Sequence, residues 1–594
     1  MMQSKLDLLL VNSMAPRQRI ASDAALENGL AILRTYLEDK GFRTEVIDEQ
    51  RIASTETGVP YWCVRLLQGL VSLQMTLYRK GWRLLWLLLM LLSWPIQTLS
   101  LYYRHRYLEQ RAEEISAMIK TNRTRLLGIK VWYGDSFKWS RLLAAKVRAA
   151  CPETVIIAGG PQVKVYGEHI FAGTDFDIAI MGPGEELLQQ LLALSKQTAD
   201  KAEFLRQFHE QISTSRLVQT GNYRPMPCSG QLPTGRQFII PRYRPEDLAD
   251  KLLFHTLVDG LGCTWNQCNF CSHTRQSSAY LPRPVAEIIE EFRTMSRLGI
   301  SFFRFSSSET PVEHGREIAE AILAEGITVN FSMFIRATKV TPAVYEAYCL
   351  LIRAGLRAVF MGGETGHDLI NDKVMNKGVT RKEIIDTIHC VKLAAATVGQ
   401  SCRIGLSLIY PTPVIDGVSL QDVYDADMSL IRETLPDTVI VNPPGVFPAT
   451  KWMKRAKGLG FTIAPDYISQ LMQYEYSLYK PVELWGKLEF SLQGRDTAGL
   501  IKETGRLRTE VASMGIPTDI SDEYLMMTEA IGYTTKTDLL QFKSISLEDI
   551  ISGSNRHMRE IIARINAKSR QIAAGNNLED TASAEQAESR RFPA

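Results

Sequence analysis

The chain has 594 residues, 45% of them apolar, with a formal net charge of +3. That length predicts three or four domains, and the apolar share is enough for several ordinary cores. The near-neutral balance removes any electrostatic case for nucleic acid. Nine cysteines in so long a chain, with no secretory signal at the start, read as a reduced cytosolic protein.

Residues 1–200 alternate apolar runs with helical patterns. Strands are expected at Leu6–Val11, Thr44–Asp48, Leu126–Trp132, Val155–Ala158 and Asp177–Met181, with helices near 24–40 and 140–150 and from Glu185. This alternation predicts a doubly wound parallel sheet, whose ligands sit beyond the carboxyl ends of the strands. Two loops at that edge are made of small residues, Gly159-Gly160-Pro161 and Gly182-Pro183-Gly184-Glu185. Glycine lets a backbone approach a ligand closely, although tight strand-to-helix turns also require it.

An apolar insertion, 60–105, separates the second and third strands. Leu84–Tyr103 contains no charged residue, and basic residues flank it: Arg79, Lys80 and Arg83 before, Arg104, His105 and Arg106 after. A run of this length can cross a bilayer. Both ends feed strands of one sheet, however, so a single crossing is excluded. The expectation is a re-entrant or in-plane hairpin formed with Tyr61–Tyr78, broken at Pro95, in peripheral contact with a membrane through 61–104. Tryptophans and flanking arginines suit such an interface. A hairpin buried against the rest of the protein or in a dimer is the alternative.

Residues 201–250, with prolines at 225, 227, 233, 241 and 245, read as a linker. An apolar run, Leu253–Gly260, then leads into a loop holding Cys263, Cys268 and Cys271, followed by a helical pattern, Val285–Leu298. Three thiolates on one short loop can hold three corners of a cubane iron–sulfur cluster and leave the fourth iron open to a substrate. A Cys3His zinc site that adds His273 is the alternative, but structural zinc takes ligands in two separated pairs.

Five more strands follow, Ser301–Ser306, Thr328–Ile335, Ala358–Met361, Arg403–Ile409 and Thr438–Val441. Each ends in polar residues or glycine, at the rim where βα barrels gather functional groups. Ser307, Ser308 and Glu309 end one; Glu364, between glycines, ends another. Ordinary surface or helix-capping carboxylates are the alternative for both acids. Residues 461–572 look mainly helical, with a basic amphipathic run from Met558 to Ile572. From 573 to 594 the composition turns to Ala, Glu, Ser and Asn, which reads as a disordered tail.

The strand, three-cysteine loop and helix resemble the opening of a radical S-adenosylmethionine (SAM) barrel. The spacing, C-x4-C-x2-C, is one residue longer than the family's C-x3-C-x2-C. Phe270, before the third cysteine, fits the family pattern, and Met375–Gly378 and Pro444–Thr450 look like family landmarks. The preceding sheet, with its Gly-Gly-Pro and Gly-x-Gly-Glu loops, is similar to the cobalamin-binding domain of B12-binding radical SAM proteins. A flavodoxin-like domain without a ligand is the alternative.

The resemblance implies an α/β chain: a doubly wound cobalamin-binding-like domain, a partial (β/α)6 barrel over 251–460, and a mainly helical C-terminal region. It implies a [4Fe-4S] cluster on Cys263, Cys268 and Cys271. It places SAM against Phe270, Ser307, Ser308, Glu309 and Glu364, and cobalamin against Gly159, Gly160, Pro161, Gly182, Gly184 and Glu185. The D-x-H-x-x-G motif is absent and Asn12–Arg19 holds no histidine, so histidine is not expected on the lower face of the cobalt. The implied activity is reductive cleavage of SAM to a 5′-deoxyadenosyl radical and methylation of an unactivated carbon. Cyclisation or rearrangement with the same cofactors, and a non-catalytic sensor, are the alternatives. The implied partners are a flavodoxin- or ferredoxin-type electron donor and a small-molecule substrate. The insertion points to an apolar one, a lipid or tetrapyrrole.

Overall fold

The computed structural model describes residues 6–16, 24–219, 238–275, 280–474 and 485–589. The N-terminal half runs β1 (Leu8–Asn12), α1 (Asn28–Asp39), β2 (Thr44–Ile47), α2 (Tyr61–Arg79), α3 (Arg83–Asn122), β3 (Leu126–Lys130), α4 (Asp135–Ala150), β4 (Val155–Gly159), α5 (Pro161–Tyr166), β5 (Ile178–Met181), α6 (Glu185–Gln197), α7 (Lys201–Gln211) and β6 (Leu217–Gln219). The six strands form one parallel sheet in the order β2-β1-β3-β4-β5-β6. Every residue of β1 is buried, because helices cover both faces of the sheet. Leu9 and Val11 enter the core shared with the second half, whereas Leu8 and Leu10 pack with Leu30, Leu37 and Leu188 on the other face. The order reverses at β1 and β3, which opens a crevice at the carboxyl edge.

Part of the expected linker belongs to this sheet. Helix α7 is anchored by buried Phe204 and Phe208, and β6 pairs with β5, Leu217 opposite Ala179. Three residues, Leu-Val-Gln, are too few to carry a periodic signal.

The second half continues with α8 (Pro245–Leu248), β7 (His255–Leu257), β8 (Gly260–Leu261), β9 (Leu281–Pro282), α9 (Val285–Arg297), β10 (Phe302–Phe305), α10 (Val312–Ala324), β11 (Asn330–Ile335), α11 (Pro342–Arg353), β12 (Leu356–Glu364), α12 (Asp368–Ile370), α13 (Arg381–Val398), β13 (Arg403–Ile409), α14 (Leu420–Thr434) and β14 (Thr438–Asn442). Six of its strands form an all-parallel sheet, β14-β13-β12-β11-β10-β7, while β8 and β9 make a small antiparallel ribbon. Capping boxes start two of the covering helices, Thr380 with Glu383 at α13 and Ser419 with Asp422 at α14.

The C-terminal region holds α15 (Lys451–Lys454), β15 (Phe461–Ile463), α16 (Tyr467–Gln473), β16 (Phe490–Leu492), β17 (Arg495–Asp496), α17 (Thr497–Ser513), α18 (Asp522–Ala530), α19 (Lys536–Ser552) and α20 (Arg556–Ser589). Helix α18 plugs the inner face of the open barrel, where Tyr524 and Leu525 share a core with Phe302 and Ala358. Helix α20 continues to Ser589, through most of the expected disordered tail; residues 590–594 lie outside the described residues. Asn576 explains its course beyond 573: its amide donates to Thr328 O (2.9 Å) and Ser296 Oγ (3.2 Å), and its oxygen accepts from Thr328 N (2.8 Å).

The insertion is an antiparallel helical hairpin, α2 against α3. Pro95 does not break it: α3 runs through the proline as one 40-residue helix. A helical proline forfeits one backbone bond, and the turn around it keeps its other bonds. The second half of α3 is core, with Leu108, Ala112, Ile115 and Ile119 buried.

Candidate functional site

The cysteine loop leaves β8 at Gly262 and turns at Asn266, which is left-handed with φ +49°. This turn lies in the long first gap of the motif. Trp265 beside it lies flat on Gly378, where a Cβ would come within 2.3 Å of the ring, and its Nε1 donates to Asn376 O at 2.7 Å. The Arg336 guanidinium covers the same ring, 5.0 Å from its centroid. The rest of the loop is tied down by Asn269, whose N–H donates to Met375 O (2.8 Å) and whose side chain donates to Val374 O (3.0 Å), while Trp452 N donates to Asn269 O (2.9 Å). Phe270 packs on Trp452, 5.8 Å between centroids.

Cys268 is buried, and Cys263 and Cys271 are half-buried. Burial pushes the Cys263 thiol up, and the Glu309 carboxylate adds to this. Burial also raises Cys268, with Lys377 opposing. Among the described residues, no three His, Cys, Asp or Glu side chains converge on a position suited to a single ion. His273 instead pairs its Nδ1 with Ser308 Oγ at 3.1 Å. The zinc alternative therefore gains no support. Three thiols on one clamped loop beside two cations suit an anionic cluster that takes each sulfur on its own iron.

The rim around the loop brings together the residues expected there and adds two. Glu309 accepts from Thr264 Oγ1 (2.9 Å) and from the Cys263 thiol (3.0 Å). Ser307 is turned inward: its N–H and hydroxyl bind the fully buried Asp259 at 3.0 and 2.7 Å, and Thr310 Oγ1 donates to the same carboxylate at 2.8 Å. Asp259 escaped the sequence reading because an acid before a strand-end glycine looks like turn chemistry. Glu364 ends β12 with φ +63° and is 7% exposed, so it is not a surface carboxylate. Its partner, Lys377 Nζ, lies 2.7 Å away. Burial works against the Lys377 ammonium, but Glu364 and Cys268 more than offset it and hold its pKa above the ordinary lysine value.

A cavity of about 1640 Å³ opens between the two halves. Ordinary small-molecule pockets measure roughly 300–1,000 Å³, so this one has room for more than one such ligand. Gly159, Gly160, Pro161, Gly182, Gly184 and Glu185 all line it, with Trp132 and Tyr133 beyond β3. Gly160 and Gly182 are left-handed, φ +97° and +101°, which only glycine adopts without strain. The facing wall is the inner face of the barrel, Thr256, Val258, Arg304 and Ser306, with Glu523 of α18. Arg304 Nη2 lies 3.0 Å from Asp522 Oδ1, and its Nε lies 3.7 Å from Glu523. Burial pushes the Glu523 carboxyl up to about 7, with Arg304 opposing, and its Oε2 has no hydrogen-bond partner. This charged floor was missed in the sequence. Its only signals are one arginine inside Phe302-Phe303-Arg304-Phe305 and two acids ahead of the apolar run Tyr524–Met527.

Residues 257–402 match the model of the radical SAM superfamily, and no curated protein sequence matches the chain. Among solved structures the chain is similar to the radical S-adenosylmethionine methyltransferase TsrM from Kitasatospora setae, solved with a tryptophan substrate and a SAM analogue. Identity is 15% and the TM-score 0.57, over 94% of this chain and 99% of that one. It is also similar to the cobalamin-dependent S-adenosylmethionine radical enzyme OxsB, solved with aqua-cobalamin and S-adenosylmethionine. There identity is 14% and the TM-score 0.52, over 98% of this chain and 80% of that one. The segment 257–402 is therefore a radical SAM domain, set in a chain whose parallel N-terminal sheet, parallel barrel sheet and helical C-terminal region share the fold of both enzymes.

Proposed function

We propose that the protein is a cobalamin-dependent radical SAM enzyme that methylates an unactivated carbon of a small molecule. One observation carries this reading: the glycine loops of the first sheet and the inner face of the barrel line the same cavity. Cys263, Cys268 and Cys271 would hold the cluster, with Glu309 and the Glu364–Lys377 pair beside them for SAM. The loops 159–161 and 182–185 would take cobalamin. When bound, these groups would supply one-electron cleavage of SAM and carriage of a methyl group. The chain's own residues clamp the cysteine loop through Trp265 and Asn269 and line the cavity with close-approach backbone at Gly160 and Gly182. The charged floor of the cavity, Arg304 with Asp522 and Glu523, supports a substrate with a polar end, within the lipid or tetrapyrrole class that the insertion points to.

The test is anaerobic reconstitution with iron, sulfide and cobalamin, then reduction in the presence of SAM. 5′-Deoxyadenosine is the expected product. S-Adenosylhomocysteine formed alongside it marks methyl transfer, and 5′-deoxyadenosine alone marks cyclisation or rearrangement. Absence of both from protein loaded with about four irons and cobalamin overturns the proposal.

A further inference from the structure

The α2–α3 hairpin is built inside out. Of twenty large apolar side chains exposed among the described residues, fifteen lie between Tyr61 and Tyr102. Leu84, Leu91, Leu92 and Trp94 are 60–73% exposed. The polar side chains face inward instead. Gln74, 5% exposed, donates across the hairpin to Ser93 Oγ at 2.7 Å and Leu89 O at 3.2 Å, Ser93 is fully buried, and Gln97 donates to Ser93 at 3.3 Å. Outward hydroxyls are satisfied by their own helices, Thr76 on Ser72 O and Thr98 on Trp94 O, both at 2.9 Å. Polar groups paired within and apolar groups facing out are what a lipid environment selects.

Placing successive residues ~100° apart, the exposed side chains from Leu84 to Trp94 cover about 220° of α3, all but the side that meets α2. An in-plane helix keeps one polar face for water, and this one has none. The uncharged belt common to both helices, Leu66–Tyr78 and Leu84 onward, rises roughly 20 Å. Exposed Arg65 marks its base, and Lys80 and Arg83 its tip. Long cationic side chains reach outward from such positions to headgroups, which brings the span toward the ~30 Å hydrocarbon layer. Lys80 also lies 5.5 Å from the Trp82 ring, the aromatic and basic pairing of a membrane interface. At the base, α2 packs on α19 and Asn555 donates to Ile52 O and Glu56 Oε1, so the hairpin is firmly mounted.

We infer that the hairpin enters a phospholipid bilayer tip first, with Lys80 and Arg83 reaching the headgroups of the opposite leaflet and the catalytic halves left outside. The inference is independent of the proposed reaction. The test is flotation of the full-length, cofactor-loaded chain with vesicles of phosphatidylcholine and phosphatidylglycerol. The wild type floats. Leu88→Glu combined with Leu92→Glu lowers partition about a hundredfold or more, the penalty for a charge in the hydrocarbon layer, and leaves iron content intact because both side chains face outward. Leu393→Glu, at an exposed site on α13, floats as the wild type does. A wild type that stays with the soluble fraction overturns the inference, and so does a double variant that floats unchanged. Loss of iron from the double variant overturns it by showing that the face is internal packing. A wild-type dimer that ignores vesicles and that the double variant splits overturns it in favour of a second copy of the chain.

Discussion

The Lys377 ammonium lies 2.7 Å from the Glu364 carboxylate, with both side chains about one-tenth exposed. The space they share exists because residue 362 is glycine: a Cβ there would lie 2.4 Å from Glu364 Oε1 and 2.9 Å from Lys377 Nζ. Removing one partner strands the other charge, so Glu364→Gln and Lys377→Met are each expected to lower stability by about 3–5 kcal/mol. Urea unfolding checks this. A loss below about 1 kcal/mol, the range of an exposed pair, contradicts the buried-pair reading.

Replacing Cys263, Cys268 and Cys271 together with alanine is expected to abolish iron binding and 5′-deoxyadenosine formation. Elemental analysis and product chromatography are the measurements. A triple variant that keeps its iron, or a wild type that holds one zinc instead, removes the cluster.

Gly378→Ala tests the clamp on the cysteine loop. The residue is left-handed, φ +64°, and its Cβ would strike the Trp265 ring. The ring has to leave, and the loop loses its support. Iron retained after desalting is expected to fall at least severalfold, while the far-ultraviolet dichroism, which reports the whole fold, stays near that of the wild type.

The two glycine loops are expected to differ. At Gly160 a Cβ meets Lys130 Cγ at 3.1 Å and the backbone is left-handed, whereas at Gly184 φ is ordinary and the nearest neighbours, on Leu33 and Leu188, are 3.5 and 3.7 Å away. Gly184→Ala should keep most of its cobalamin affinity. Gly160→Val should lose it by tenfold or more, in visible-spectrum titration. Equal binding by both variants places the ligand elsewhere.

Asp427 gives a pH signature. It is fully buried, accepts from Thr365 Oγ1 (2.7 Å) and Gly366 N (2.6 Å), and has no partner on Oδ2. Burial pushes its carboxyl from 3.8 up to about 7, with those two bonds opposing. A carboxyl raised by folding contributes its full stability below its unfolded pKa and loses it as pH rises through the folded one. Unfolding free energy should fall between about pH 4 and 7 by up to roughly 4 kcal/mol, at about 1.36 kcal/mol per unit. Asp427→Asn should flatten that slope in chemical denaturation.

The strands were legible wherever the chain is apolar and its end is marked. Every barrel strand from Phe302 to Asn442 lies within two residues of its expected run, apart from β12. That strand runs on through Gly362-Gly363-Glu364, where glycines masked its continuation. The cysteine loop and both glycine loops were legible because their residue types are rare in that order. Asp259, Arg304 and Glu523 were not, because each has meaning only through a partner distant in the chain or on another strand, and local spacing carries no trace of that; Lys377 lay within the Met375–Gly378 landmark, but its pairing with Glu364 was not visible there. Pro95 misled for the opposite reason. Its local preference is real, but a helix held on α2 and on the N-terminal core tolerates it.

Helix α3 is one rod from the hairpin tip to the cavity. Its outer half carries the apolar face, and Leu101, Arg104, Tyr107 and Arg111 of its inner half line the cavity wall. From Leu88 to Leu108 the axis advances roughly 30 Å. A tip anchored in a bilayer therefore works as a gauge. On that inference it would set the height of the cavity above the lipid. A substrate that partitions between membrane and water would meet that cavity at a constant distance, whatever the rest of the surface is doing.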